Sequence, residues 1–522
     1  MPGIRKPLIH ENLNMNKLIL NFLIKTNSPL SLVDNESFKK MIYYANSNLK
    51  VWCRQTVSKN LDKIYNIAKI QLIKKFNNVK NKFALTSDIW TSHNGSAYCS
   101  LTLHYINDDW NIINIALDLL SFPHPHTGDD ISSLLITSMN DFEFKNNIIS
   151  ITHDNGANVV KAVEIIKKYY HLNYETVLYS HRCMAHILNL IVNEGFIFLD
   201  DKLENIMAIV SRLHVSPKLL QTYQSFNGAT KIPLPVKTRW NSVYLMIAAI
   251  NKNIKAIQHL SELGLIETDL APENIEFFSN LEEFLKPFYQ ITVEISSQLP
   301  TIGMAILFFN DILENLKNQE IGNSDASIRE AATSMIKKYD EYSQHILTPN
   351  NYAASILDPR IKNTLITNLK EDAAITNMAI FKGIYSKYTT EPFDEYSFNN
   401  NNNPSNLKTI SLLQGLKRRK VSSNGDSDNQ INTYLLEPVA PETTNVLDWW
   451  RGNENRFPHL AKMARDFLCQ QTTSVASERT FSLAGNTITK LRNRMAPSTL
   501  KQCISLSSWD INIMGLHDDI WQ

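Results

Sequence analysis

Four segments rich in β-branched and aromatic residues stand close together in a chain that is otherwise patterned for helices, and they limit the fold more than any other feature. They lie at residues 83–90, 97–106, 110–122 and 148–155. Clusters of Asn, Asp, Gly and Pro separate the first three, as is typical of strands joined by tight turns. A helical pattern at about 128–142 separates the third from the fourth. We therefore predict an α/β fold, in which a meander, a crossover and a fourth strand form a mixed sheet with flanking helices.

The parts of the chain outside this segment are patterned mostly for helices. Residues 1–80 form a polar helical segment with an apolar stripe at Tyr65, Ala68, Leu72 and Phe76. This spacing of three and four favours a packing or linking helix, and direct contact with DNA is the alternative. Residues 201–395 repeat the helical period and predict an α-helical domain inserted into, or appended to, the sheet domain of residues 81–200.

The segment 396–435 has the composition of a disordered linker. It contains five consecutive asparagines, Asn399 to Asn403, and the basic run Lys417 to Lys420. Such a segment buries little apolar area. The basic run is either a nuclear-import signal or a solvated stretch of charge.

Residues 436–522 return to an apolar composition and predict a compact C-terminal region. Trp449, Trp450, Phe457 and Leu468 give it a dense apolar surface. This surface is predicted either to drive self-association or to cover the sheet domain of the same chain.

Charge and cysteine content exclude several classes of protein. Lys and Arg number 52 against 51 Asp and Glu, so nucleic-acid binding would have to come from local patches. The five cysteines form no CxxC pair, which argues against a disulfide scaffold and a zinc ribbon. No apolar run approaches the roughly 18 residues of a membrane span, and the first residues do not resemble a signal peptide. We expect a reducing intracellular compartment and no membrane partner.

Three carboxylates are candidates for metal binding. Asp88 is predicted at the end of the first strand and Asp154 at the end of the fourth, so the two could converge at one edge of the sheet. Glu478 could join them from a later helix. Oxygen ligands of this kind suit Mg²⁺, and a two-metal site needs at least three carboxylates. Each acid also has a simpler interpretation, because both aspartates could be turn residues and Glu478 an exposed helix residue.

Eight sequence blocks, taken in order, resemble those of the hAT superfamily of DNA transposases. The blocks are 86–92, 98–110, 126–128, 154–158, 181–190, 238–242, 354–360 and the Ser474 to Ser482 segment SVASERTFS. The last is similar to the C-terminal dimerisation signature of the family. The resemblance spans about residues 80–515.

The resemblance implies an RNase H-like core interrupted by a large α-helical insertion domain. It implies that Asp88, Asp154 and Glu478 form a DDE triad that holds Mg²⁺ or Mn²⁺ for phosphoryl transfer. The implied partners are DNA, as transposon ends and as target, and a second copy of the chain. We expect nuclear localisation.

The resemblance also implies residues that contact DNA. Trp240 would stack on a base flipped out of the duplex and Arg239 would contact phosphate; the alternative for Trp240 is a buried anchor. Four more basic residues follow or adjoin the third acid and are predicted to contact phosphate, unless they form a solvated helix end. They are Arg479, Lys490, Arg492 and Arg494.

Cys183 and His186 have the spacing of metal ligands, yet a structural zinc needs four ligands. We predict a packed polar pair near the acidic site and no structural zinc. Family members usually begin with a BED-type zinc finger, whereas only His10 and Cys53 precede Asp88 as possible ligands. The expectation is a chain without that finger, so the enzyme interpretation competes with a catalytically inactive, DNA-associated or dimerising regulator.

Overall fold

The computed structural model describes most of the chain. The described residues are 9–92, 95–122, 127–236, 239–266, 272–297, 302–389, 426–488 and 495–509. Lys490, Arg492 and Arg494 lie outside them, as does most of the predicted linker. Within the described residues, no helix is both long enough and apolar enough to cross a membrane.

A five-stranded mixed sheet forms the centre of the fold. Its strands are β1 Phe83–Thr91, β2 Ala97–Ile106, β3 Ile112–Ser121, β4 Ile148–His153 and β5 Tyr179–Arg182. The order across the sheet is β3-β2-β1-β4-β5, with β1 to β3 antiparallel and β1, β4 and β5 parallel. The predicted α/β class, the meander and the crossover are therefore confirmed.

The central strand β1 extends beyond its pairing with one of its two neighbouring strands. Its parallel pairing with β4 ends at Thr86, whereas its antiparallel pairing with β2 continues to Thr91. Asp88 therefore lies within β1, whereas the sequence analysis had predicted it at the end of the strand. Asp88 nevertheless lies beyond the last residue of β1 that pairs with β4. At this point β1 has a paired strand on one side only.

Helices from the first half of the chain cover one face of the sheet. They are α1 Ile9–Lys25, α3 Arg54–Asn78, α4 Gly128–Asp141 and α5 Ala157–Tyr174, while α2 Glu36–Ala45, which has no buried residue, packs at the outside of this layer. The predicted stripe on α3 is buried against this face, in the same apolar core as Phe83 and Leu85 of β1. The packing interpretation of residues 1–80 thus agrees with the structure.

A second apolar core lies in a helical region that follows β5. Its helices are α6 Met184–Phe196, α7 Asp200–Val215, α8 Pro217–Ser225, α9 Trp240–Lys252, α10 Ile254–Glu262, α11 Pro272–Ile295, α12 Ala305–Gly322 and α13 Ala326–Ile346. Three further helices lead back toward the sheet: α14 Pro349–Ile356, α15 Thr364–Thr367 and α16 Glu371–Thr389. The large helical region expected after the sheet is present.

The C-terminal helices return to the sheet. They are α17 Asp426–Leu436, α18 Val446–Asn453, α19 Pro458–Leu468, α20 Val475–Thr487 and α21 Pro497–Ser508. Helix α17 falls inside the range predicted to be a disordered linker. The linker prediction is wrong for that helix, because Tyr434 is fully buried beside Trp450 and donates its hydroxyl to the Ile356 carbonyl at 2.8 Å.

Of the four residues considered for self-association, three are buried within the chain, and Trp449 is partly buried. Trp450, Phe457 and Leu468 are each at most 2% exposed and share a core with Ala84 and Ile149 of the sheet. The Trp450 indole donates to the Leu357 carbonyl at 2.8 Å. Most of this surface therefore covers the sheet of its own chain, which was the alternative interpretation.

Candidate functional site

A cavity of about 700 Å³ lies where the open side of the sheet meets the helical region and α20. All three predicted acids line it. So do four other residues that the sequence analysis singled out: Cys183, His186, Arg239 and Trp240. Segments that are remote along the chain thus meet at one place.

Asp88 reaches the cavity from β1 and is only partly exposed. One carboxylate oxygen accepts a hydrogen bond from the amide of Ile89 at 2.8 Å. Burial raises the pKa of Asp88 to about 7, and the negative charges of Asp154 and Glu478 add to the increase. A carboxylate that is buried beside like charges favours any state in which a cation or a proton neutralises it.

Asp154 directly follows β4 and begins the turn into α5. Its Oδ1 accepts a hydrogen bond from the amide of Gly156 at 3.1 Å, which is the turn contact that the simpler interpretation expected. A side chain at position 156 would place its Cβ 3.3 Å from that oxygen, so glycine keeps the carboxylate clear. Asp154 therefore caps a turn and lines the cavity at the same time.

Glu478 lies in the first turn of α20 and its side chain is exposed. The loop before α20 is fixed to β5 and α6, because the Ser474 amide donates to the Cys183 thiol at 3.4 Å and the Met184 amide donates to the Thr472 carbonyl at 2.8 Å. These contacts bring the start of α20 to the cavity.

The chemistry of the three acids suits a hard divalent cation. Within the described part of the chain, none of them forms an ion pair with Lys or Arg. In the same described part, no three His, Cys, Asp or Glu side chains are close enough to enclose a metal ion. Mg²⁺ usually takes only one or two carboxylates and fills its other positions with water and substrate phosphate. The donor set therefore fits such an ion with further oxygen ligands supplied from outside the chain.

Cys183 and His186 belong to the wall of the cavity rather than to a closed metal site. Cys183 is fully buried at the start of α6, and burial raises the pKa of its thiol. His186 is one turn further along and half-buried. Among the described residues, only these two potential soft ligands line the cavity, which is fewer than a structural zinc requires.

The residues predicted to contact DNA differ in how exposed their side chains are. Arg239 is exposed at the start of α9 and lines the cavity. Trp240 is only 1% exposed and packs edge-to-face on Phe288 in the helical core. In this structure its ring is therefore a buried anchor, which was the alternative interpretation. Arg479 donates to the Ser296 carbonyl at 2.7 Å and connects α20 to the end of α11.

Two residues near the site were missed by the sequence analysis. Trp90 is a half-buried aromatic in the cavity wall, stacked on Phe481 with ring centroids 5.7 Å apart. Arg182 at the end of β5 donates to Asn155 at 3.3 Å, and burial lowers its pKa. Both lie inside the blocks 86–92 and 181–190 that carried the resemblance, and this position was the only signal in the sequence.

Comparison with protein families finds matches in three regions. Residues 86–181 match the ZBED1 RNase-like domain, and residues 181–279 match the ZBED1 RNase-like helical domain. Residues 430–509 match the hAT family C-terminal dimerisation region. The first two matches meet at residue 181, where β5 leads into the helical region.

Curated relatives match over nearly the whole chain. A Zea mays protein named as an AC transposase is 27% identical over 96% of this chain and 65% of its own length. The Oryza sativa protein RICESLEEPER 2, named as containing a zinc finger BED domain, is 23% identical over 94% of this chain and 73% of its own. A Talaromyces stipitatus protein named as a transcriptional regulator, tpeD, is 21% identical over 93% and 60%. The chain thus spans just under two thirds of the AC transposase.

Proposed function

The chain is a transposase or transposase-derived member of the hAT family, and on this premise we propose that it cuts DNA and joins DNA strands. One observation carries the proposal: Asp88 from β1, Asp154 from the end of β4 and Glu478 from α20 line one cavity. These would be the residues that hold Mg²⁺ or Mn²⁺. When bound, the ions supply activation of the attacking hydroxyl and stabilisation of the leaving oxygen.

The chain's own residues divide the remaining tasks. The three carboxylates position cations and form no covalent bond to DNA. Arg239, exposed at the cavity, would contact phosphate, and Arg479, Lys490, Arg492 and Arg494 would extend that contact along the strand. Trp240 would need its ring uncovered before a flipped base could stack on it, because Phe288 and the helical core now enclose it.

The pKa of Asp88 gives this proposal a pH dependence. At pH below about 7 the Asp88 carboxyl is mostly protonated and is a poor cation ligand. Cleavage at limiting Mn²⁺ is therefore expected to rise between pH 6 and pH 8. Saturating Mn²⁺ should shift the midpoint to lower pH, since the cation competes with the proton. A rate that is flat across this range at limiting Mn²⁺ would contradict the assignment of Asp88.

Cleavage of DNA that carries the ends of the corresponding element tests the proposal directly. The wild type is compared with Asp154→Ala in the presence of Mg²⁺, and Asp109→Asn, in the exposed β2–β3 turn, serves as a matched acidic control. We expect products from the wild type and the control and a loss of at least about 100-fold for Asp154→Ala. Equal products from wild type and Asp154→Ala would eliminate the enzyme function.

A second candidate function is a catalytically inactive regulator that binds DNA and self-associates. It is supported by the relative named as a transcriptional regulator, which matches over 93% of the chain. Such a protein would bind element DNA with equal affinity in wild type and Asp154→Ala and would yield no cleavage product from either. The two functions thus differ in product formation, not in binding.

We also propose that the chain self-associates, which the match of residues 430–509 to the C-terminal dimerisation region supports. Because Trp450, Phe457 and Leu468 are buried within the chain, we propose that the contact between subunits uses other residues of the region. Light scattering at micromolar concentration is expected to give at least the mass of a dimer. A monomer under these conditions would contradict the proposal.

A further inference from the structure

A line of polar side chains crosses the sheet and ends beside Glu478; its first member, Asn114, is exposed, and His104, Thr86 and Ser477 are buried. Nδ1 of His104 lies 2.6 Å from Oδ1 of Asn114, and its Nε2 lies 3.2 Å from the hydroxyl of Thr86. The Thr86 hydroxyl lies 3.1 Å from that of Ser477. The line therefore runs from β3 through β2 and β1 to helix α20, and neither the cation chemistry nor the DNA contacts proposed above uses it.

The direction of these hydrogen bonds is fixed by their chemistry. The amide oxygen of Asn114 only accepts, so Nδ1 of His104 carries the proton and Nε2 accepts from the Thr86 hydroxyl. The Thr86 oxygen then accepts from the hydroxyl of Ser477. Burial lowers the pKa of His104 to about 4, so the ring is neutral at physiological pH and keeps this arrangement.

The line meets α20 at the point where two of the three acids approach each other. Thr86 is two residues before Asp88 and on the same face of β1, because side chains alternate along a strand. Ser477 is the residue before Glu478. A single contact between two hydroxyls thus connects the strand that carries one acid to the helix that carries another.

The other contacts between α20 and the sheet are largely apolar. Phe481, Ala484 and Ile488 pack against Tyr98 and Leu119. Apolar packing supplies free energy without a preferred direction, so it tolerates small rotations of a helix. A hydrogen bond weakens steeply when its angle changes. The bond between Thr86 and Ser477 is therefore suited to fix the rotation of α20.

We propose that His104, Thr86 and Ser477 are positioning residues that hold Glu478 opposite Asp88 for cation binding. The proposal rests on the function proposed above. These residues do not touch DNA or the reacting atoms; they act through Glu478. Loss of an outer residue that orients a metal ligand typically weakens metal binding or activity about 10–100-fold.

The test uses Thr86→Val, which keeps the shape of the side chain and removes its hydroxyl. Thr487→Val is the matched control, because within the described part of the chain the buried Thr487 hydroxyl bonds only to the Leu483 carbonyl of its own helix. Two measurements are made on the full chain: Mn²⁺ affinity by calorimetry and amide hydrogen exchange over residues 475–487. Thr86→Val is expected to bind Mn²⁺ about 10–100-fold more weakly and to exchange faster in α20. Thr487→Val should match the wild type.

Rescue and kinetics separate positioning from general damage. Thr86→Ser restores the hydroxyl and is expected to restore Mn²⁺ affinity to within about threefold of the wild type. DNA cleavage by Thr86→Val should show a lower kcat with an unchanged KM for DNA. If Thr86→Val does not fold, Ser477→Ala removes only the last hydroxyl of the line and is expected to give the same effects.

One outcome would contradict the positioning role, and another would contradict the proposed function. Thr86→Val or Ser477→Ala with wild-type Mn²⁺ affinity and wild-type exchange in α20 would overturn the positioning role. A wild type that binds no Mn²⁺ and cuts no DNA would contradict the proposed function instead. Exchange over residues 475–487 would then still decide whether the hydroxyl contact holds the helix.

Discussion

The two faces of the sheet each hold an aspartate, and the two aspartates have opposite surroundings. On the face toward α4 and α21, Asp118 of β3 is 2% exposed and fully compensated. Lys501 lies 2.8 Å away, the Ser138 hydroxyl donates at 2.7 Å and the Leu119 amide at 2.8 Å. On the other face, the described residues give Asp88 one backbone donor and two carboxylates as charged neighbours. The first charge stabilises the fold, and the second is left for a ligand.

This difference indicates where the chain accepts a cost in stability. A compensated buried carboxylate holds together the elements that contact it, here β3, α4 and α21. An uncompensated one destabilises the folded state for as long as its charge is not neutralised, as is common where activity and stability compete. Isosteric Asp→Asn changes on the two faces should therefore have effects of opposite sign.

The largest effect is expected on the compensated face. Asp118→Asn removes the charge that neutralises Lys501 and turns an amide group toward it, so the free energy of unfolding should fall by about 3 kcal/mol. Urea denaturation measures the change, with the exposed Asp109→Asn as a control expected within about 0.5 kcal/mol of the wild type. A loss as small as that of the control would mean that Asp118 does not hold this face together.

A gain in stability is expected on the other face. Because the folded pKa of Asp88 is about 7 against 3.8 for the unfolded chain, its ionisation costs stability as the pH rises through that interval. Asp88→Asn should stabilise the metal-free protein by about 2 kcal/mol at pH 8, which is half of the roughly 4 kcal/mol for a full shift because solvent screens this partly exposed carboxylate, and leave it nearly unchanged near pH 4. Denaturation at the two pH values measures this. Destabilisation at pH 8 would show that the negative charge of Asp88 is compensated after all.

The smallest effect is the response of stability to a divalent cation. At a concentration ten times its Kd, Mn²⁺ should stabilise the wild type by about 1.4 kcal/mol at pH 8. Asp88→Asn should lose most of this increment, while Asp118→Asn should keep it although its starting stability is lower. Calorimetric melting with and without Mn²⁺ distinguishes them. If Mn²⁺ stabilised both variants equally, the cation would not bind at the face that carries Asp88.

The sequence predicted the local features of the site and missed those that depend on distant residues. The strands that carry Asp88 and Asp154 have patterns that are visible within ten residues, and the sheet they predict is present. That the three acids share a cavity rested on the resemblance, since nothing near Glu478 indicates which strand it approaches. The hydroxyl pair Thr86 and Ser477 joins residues 391 positions apart, and no local pattern reveals such a contact.

The burial of Trp450 could not be decided from the sequence for a related reason. An apolar surface has the same composition whether it meets the same chain or another one. What decided it was Trp110, in the turn between β2 and β3, whose ring stacks on Trp450 at 6.3 Å and whose indole donates to Glu454 at 2.7 Å. Both partners come from a segment more than 300 residues later in the chain; Trp110 and Glu454 are 344 residues apart.

The late position of α20 and α21 in the chain has a consequence during translation. The five strands are complete by Arg182, yet the helix that carries Glu478 is made only after the whole helical region. At ribosomal rates of about 5–20 residues per second, this interval lasts tens of seconds. A nascent chain can therefore fold its sheet early while the third acid is still missing, so the complete set of acids first exists only after the whole helical region has been made.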